Sequence, residues 1–107
     1  MIKVTYNYEK NELTITGHAY SGKAGHDLIC AGVSTLFYTL VKNAQKLEAL
    51  KYGKIKEFKA ETGEGKLLFK SKNKNVSAAV KNVFCSICVG FEMLAVEYPK
   101  NILYFLE

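Results

Sequence analysis

Residues 13–34 read Leu-Thr-Ile-Thr-Gly-His-Ala-Tyr-Ser-Gly-Lys-Ala-Gly-His-Asp-Leu-Ile-Cys-Ala-Gly-Val-Ser, and the hydrophobic period changes within them. Leu13 and Ile15 alternate with polar residues, as in a strand with one buried face. From Ile29 onward the apolar positions are Val33, Leu36, Phe37, Leu40, Ala44 and Leu47, the spacing of one helical stripe. Between them, Tyr20 to Asp27 holds Gly22 and Gly25 and no apolar period, so it reads as a loop. Asp27 suits a helix N-cap, its carboxylate accepting from the backbone N–H of Cys30. The helix should end near Gly53.

Upstream, Ile2, Val4, Tyr6 and Tyr8 share one face at period two, and Lys10-Asn11-Glu12 reads as a hairpin turn. Downstream, Ile55 to Glu61 and Lys66 to Lys70 flank Thr62-Gly63-Glu64-Gly65, a second hairpin. Ser71 to Lys74 is a polar link. Val80, Val83, Phe84, Ile87, Cys88, Phe91, Leu94 and Ala95 then form a second helical stripe, stopped by Pro99. Ile102 to Leu106 is a final strand. The order is ββαββαβ, an α+β fold with a sheet of about five strands and both helices on one face. No internal boundary divides residues 1–107, so one domain is expected.

The 107 residues are 49% apolar, enough for a core without disulfide or metal support. Net charge is +5 and every basic residue is Lys. Without Arg the charge argues only weakly for specific base reading, though it permits loose attraction to RNA, ribosomes or acidic surfaces; plain solubility is the favoured explanation. The N-terminus lacks the apolar core of a signal peptide, and no apolar run approaches the ~18 residues of a membrane span. Three cysteines form no disulfide framework, which fits a reducing, cytoplasmic setting.

Chemistry points to the two ends of the loop. A thiol at Cys30, in the first turn of a helix, feels the positive end of the helix dipole, which favours the reactive thiolate. His18, closing the second strand, could take the thiol proton and later protonate a leaving amine. The unpaired N–H groups of the same turn could hold an oxyanion. The plainer readings are a small buried cysteine and a satisfied histidine at a strand end. Asp27 is either cap or orienting acid. His26 competes as a base, or is a solvated loop residue. Cys85-Ser86-Ile87-Cys88 is formally a redox motif, but inside an apolar helix its role is packing. Gly63-Glu64-Gly65 is turn chemistry. No set of residues has metal-ligand spacing, and no cofactor is implied.

Taken together, Gly17-His18-Ala19, Gly25-x-Asp27-x-x-Cys30-Ala31 and Val33-Ser34 resemble the Prp family of bacterial ribosomal-processing cysteine proteases, over essentially the whole chain. The resemblance implies a small α+β homodimer that removes the N-terminal extension of a large-subunit ribosomal protein, number twenty-seven. Cleavage would follow a short, Phe-containing apolar stretch, during ribosome maturation. It implies Cys30 as nucleophile, His18 as general base and acid, and Asp27 and Ser34 in support. No specific nucleic acid or membrane partner is implied. The loop with Gly22 and Gly25 should order over substrate; Lys23 at its centre could touch the peptide or keep the loop in water, the second being favoured. Gly32 departs from the family pattern and suggests a close approach to another backbone. The rival reading is a basic ribosome- or RNA-associated binding module, without catalysis, using Lys70 to Lys74.

Overall fold

The computed structural model describes residues 1–18 and 28–107. The elements are β1 (Ile2–Asn7), β2 (Glu12–Thr16), α1 (Leu28–Ala49), β3 (Gly53–Glu61), β4 (Glu64–Ser71), α2 (Lys74–Glu97) and β5 (Ile102–Leu106). This is the ββαββαβ, α+β arrangement expected, with five strands in one sheet. The strand order is β3-β4-β2-β1-β5. All neighbours are antiparallel except β1 and β5, which run parallel with Val4 opposite Tyr104.

Period two puts Ile2, Val4, Tyr6, Leu13, Ile15, Leu67, Phe69 and Ile102 on one sheet face, all buried. Both helices cover that face. Val33, Phe37, Leu40 and Ala44 of α1 and Val80, Phe84 and Phe91 of α2 complete a single core cluster. By length and composition α2 could cross a bilayer. Its apolar stripe of Val80, Phe84, Cys88 and Phe91 is instead buried on the sheet.

Several boundaries differ from the sequence reading. Tyr8 lies beyond β1 and is half exposed, with Lys81 Nζ 4.3 Å above its ring. Glu12 belongs to β2, and the first turn closes on Asn11, in the left-handed region at φ 56°. Asn11 is buried. Its Oδ1 accepts from the Tyr6 hydroxyl at 2.5 Å, and its Nδ2 donates to the Phe69 carbonyl at 3.3 Å. Helix α1 stops at Ala49, because Lys51 turns left-handed at φ 65° and the Tyr52 N–H returns to the Leu47 carbonyl at 2.9 Å. Gly53 therefore opens β3, where a Cβ would lie 2.2 Å from the Lys70 carbonyl oxygen. The link before α2 ends in a cap: Asn73 Oδ1 accepts from the N–H groups of Asn75 (3.0 Å) and Val76 (3.3 Å).

Among the described residues the close approach expected at Gly32 is absent. A Cβ there would meet only the Leu94 side chain, at an ordinary 3.5 Å. The tight helix contact is at Gly90, where a Cβ would lie 2.6 Å from Leu36 Cδ2.

Candidate active site

The β3–β4 hairpin turns at Thr62-Gly63, tighter than the four-residue turn expected, with Gly63 at φ 77°. Its tip reaches the end of β2, where the Gly17 N–H donates to the Gly63 carbonyl at 2.9 Å. Gly17 itself sits at φ 93°, and a Cβ there would overlap the Met1 carbonyl at 2.1 Å. Glycine is thus required twice over at position 17. The next residue, His18, accepts the N-terminal ammonium of Met1 on its carbonyl oxygen. These contacts fix the backbone that carries the imidazole. The ring rests against Gly63, where a Cβ would come within 2.6 Å of Nε2.

Cys30 is the third residue of α1, in its first turn. Its neighbours Ile29 and Val33 are buried and anchor the helix, while Cys30 remains partly exposed. Spacing by four residues places Cys30, Ser34 and Tyr38 along one side of the helix. All three line a cleft of about 250 Å³ together with His18 and Gly63. Phe37 closes part of the cleft beneath Gly65, where a Cβ would lie 3.3 Å from its ring. Phe37 also stacks on Phe58 of β3, centroids 6.3 Å apart.

The structure therefore brings His18, Cys30 and Ser34 into one cleft. Asp27, Gly22, Gly25, Lys23 and His26 lie outside the described residues. The reading of Gly63 and Gly65 as turn residues alone was incomplete, since both also shape the cleft. The signal in the chain was slight: Gly65 lies inside β4, beyond a two-residue turn at Thr62-Gly63, so the turn does not account for it.

The other cysteines sit elsewhere. Cys88 is buried in the core and Cys85 is half-buried on the same helix. Burial pushes the Cys88 thiol up to about 11, against a smaller opposing effect from its hydrogen bond with Tyr104. A thiol so held packs as a small apolar side chain, as the sequence reading expected. Among the described residues, no three His, Cys, Asp or Glu side chains gather as a metal site.

A thiol in the first turn of a helix and an imidazole line the same cleft beside Phe37 and Tyr38, the pair of groups that cysteine hydrolases use. Residues 1–103 match the family described as cysteine protease Prp, and the chain belongs to that family of cysteine proteases. Solved structures agree in fold. An essential ribosomal processing protease Prp from S. aureus, bound to a covalently linked product peptide, superposes with a TM-score of 0.78 at 19% identity, covering 100% of both chains. The same S. aureus protease with a substrate peptide gives 0.70 at 21% identity, again over 100% of both chains. SMU.848 from Streptococcus mutans gives 0.67 at 26% identity, covering 98% of this chain and 90% of that one. No curated protein sequence matches the chain.

Proposed function

We propose that Cys30 and His18 form the catalytic pair of an endopeptidase that trims the N-terminal extension of a large-subunit ribosomal protein, number twenty-seven, in the cytoplasm. The observation that carries this reading is the shared cleft: one cavity is lined by Cys30, His18, Ser34 and the glycine turn. His18 takes the Cys30 proton, and the thiolate attacks the scissile carbonyl carbon. The N–H groups of the first turn of α1 receive the oxyanion. Collapse of the intermediate breaks the C–N bond as His18 protonates the departing amine. Water, deprotonated by His18, then releases the acyl group as a carboxylic acid and returns the thiol.

Tyr38, exposed at the cleft, offers aromatic surface to the Phe-containing apolar stretch before the cut, above a floor that includes the buried Phe37. Ser34, one turn beyond Cys30 in the cleft lining, would hydrogen-bond the bound peptide or the thiol's surroundings. Asp27 would cap α1 and support the pair. The loop containing Gly22 and Gly25 would order over the peptide. The working species in this reading is a homodimer. Its substrate class is also that of the S. aureus protease, described as a ribosomal processing enzyme.

The test is cleavage of a peptide spanning the Phe-containing site of the ribosomal precursor, by the native protein and by Cys30→Ala and His18→Ala variants. Native protein should cut, and each variant should lose at least about 10³-fold, as for nucleophile and base removal elsewhere. Equal cutting by Cys30→Ala would remove Cys30 as nucleophile. An intact precursor peptide beside a cut unrelated peptide would overturn the substrate assignment alone.

A further inference from the structure

At the base of the β3–β4 hairpin, opposite its glycine tip, lies a groove of about 610 Å³ bordered by Lys51, Lys54, Lys56, Lys70 and Lys72. Along β3 the nearest lining residues of the groove and the cleft, Lys56 and Ala60, are four residues apart, roughly 13 Å at ~3.3 Å per residue. All five lysines are exposed. The single acidic residue of the lining, Glu48, is occupied by the Ile55 N–H at 2.8 Å.

Two features set these lysines apart from an ordinary solvated face. Lys54 stands directly opposite Lys70 in the antiparallel register. Like charges so placed weaken a hairpin. The same hairpin has a second Lys–Lys rung, Lys59 opposite Lys66, and there carboxylates compensate: Glu64 lies 3.1 Å from Lys59 Nζ, and Glu57 2.7 Å from Lys66 Nζ. Among the described residues every recorded ion pair involves Lys59 or Lys66, and none reaches the groove. Protection of an edge strand by charge would account for Lys54 and for Lys56 at the bulge of β3. It does not account for Lys70, which is on the interior strand β4.

We propose that this groove binds the phosphate backbone of RNA, without sequence preference. The uncompensated rung is then the docking point for phosphates. Lysines without arginine track phosphate as point charges and read no bases. The lining carries no apolar side chain among its described residues. An acidic protein partner would need such an anchor for a stable interface, and a polyphosphate backbone does not. Binding there leaves the cleft free, so the inference stands apart from the cleavage reading.

The experiment is fluorescence anisotropy of a short labelled oligouridine with the full chain over a range of salt. Five phosphate contacts at about −0.7 each predict a slope of log K against log salt near −3.5. Lys54→Gln/Lys70→Gln should bring it to about −2, and Lys51→Gln/Lys72→Gln should do the same by an independent route. Lys10→Gln/Lys100→Gln should leave it unchanged. Removing the like-charge rung should hold or raise the thermal midpoint, which shows that the variant folds, and peptide cleavage should be unaffected. Absence of binding at low salt, a slope indifferent to both groove variants, or equal competition by polyglutamate would overturn the proposal.

Discussion

The imidazole of His18 is seated on Gly63: a Cβ at position 63 would fall 2.6 Å from its Nε2 and 3.2 Å from Cε1. The strand that carries the histidine and the hairpin that positions it are joined only by non-local contacts, among them the bond from the Gly17 N–H to the Gly63 carbonyl.

Gly63→Ala should therefore damage catalysis more than folding. The added methyl displaces the ring, and the φ of 77° adds about 1–2 kcal/mol of backbone strain. A displacement near 1 Å is worth about 10²-fold in rate. Peptide cleavage should fall by roughly that factor in kcat, while urea denaturation reports only the strain. A loss of stability without loss of kcat would separate Gly63 from His18.

The two helix-interface glycines should respond in opposite senses. At Gly32 an added methyl meets Leu94 at an ordinary 3.5 Å, so Gly32→Ala should stabilise by about 0.5–1 kcal/mol through helix propensity. At Gly90 the methyl would overlap Leu36 at 2.6 Å. Overpacking of about 1–3 kcal/mol outweighs the same propensity gain, so Gly90→Ala should be net destabilising. Denaturation midpoints of the two variants check both signs.

Tyr6→Phe should cost about 1–3 kcal/mol, because it strips a donor from the buried Oδ1 of Asn11 while keeping the ring stacked 5.9 Å from Phe84. Asn11→Gly keeps the left-handed turn but removes both side-chain hydrogen bonds. It should be destabilised to a similar degree, and the double variant should be much less than additive. A fully additive result would show that the pair is not coupled.

Alkaline pH should loosen the core from the side of α2. Burial raises the Cys88 thiol to about 11, above the ordinary thiol value, so folding favours its neutral form. This contribution is intact below the ordinary thiol pKa of about 8.5 and is lost as pH rises through about 11. Burial shifts Tyr6 and Tyr104 upward too, which extends the loss to higher pH. Stability should decline from about pH 9. Cys88→Ala, less stable throughout from the lost volume, should show a shallower decline between pH 9 and 11. Parallel curves would count against the Cys88 contribution.

The candidate site was only half legible along the chain. His18 and Cys30 could be singled out because a histidine at a strand end and a thiol at a helix start are local features. Gly63 could not, since its role depends on a hairpin tip reaching back across the sheet to Gly17. Tyr8, placed by alternation on the buried face, lies past the strand end, where its ring is covered by Lys81 instead of the core.

The amino-acid sequence by itself determined the order of strands and helices and which face of each is apolar, because periods of two and 3.6 are properties of neighbouring residues. Tertiary structure alone decided the strand order β3-β4-β2-β1-β5 and the parallel seating of β5 on β1. It also decided that Gly63 supports His18, and that Lys70 faces Lys54 with neither in an ion pair among the described residues. Each of these depends on contacts between segments distant in sequence, where apolar faces and backbone hydrogen bonds select one pairing among several that the local pattern permits.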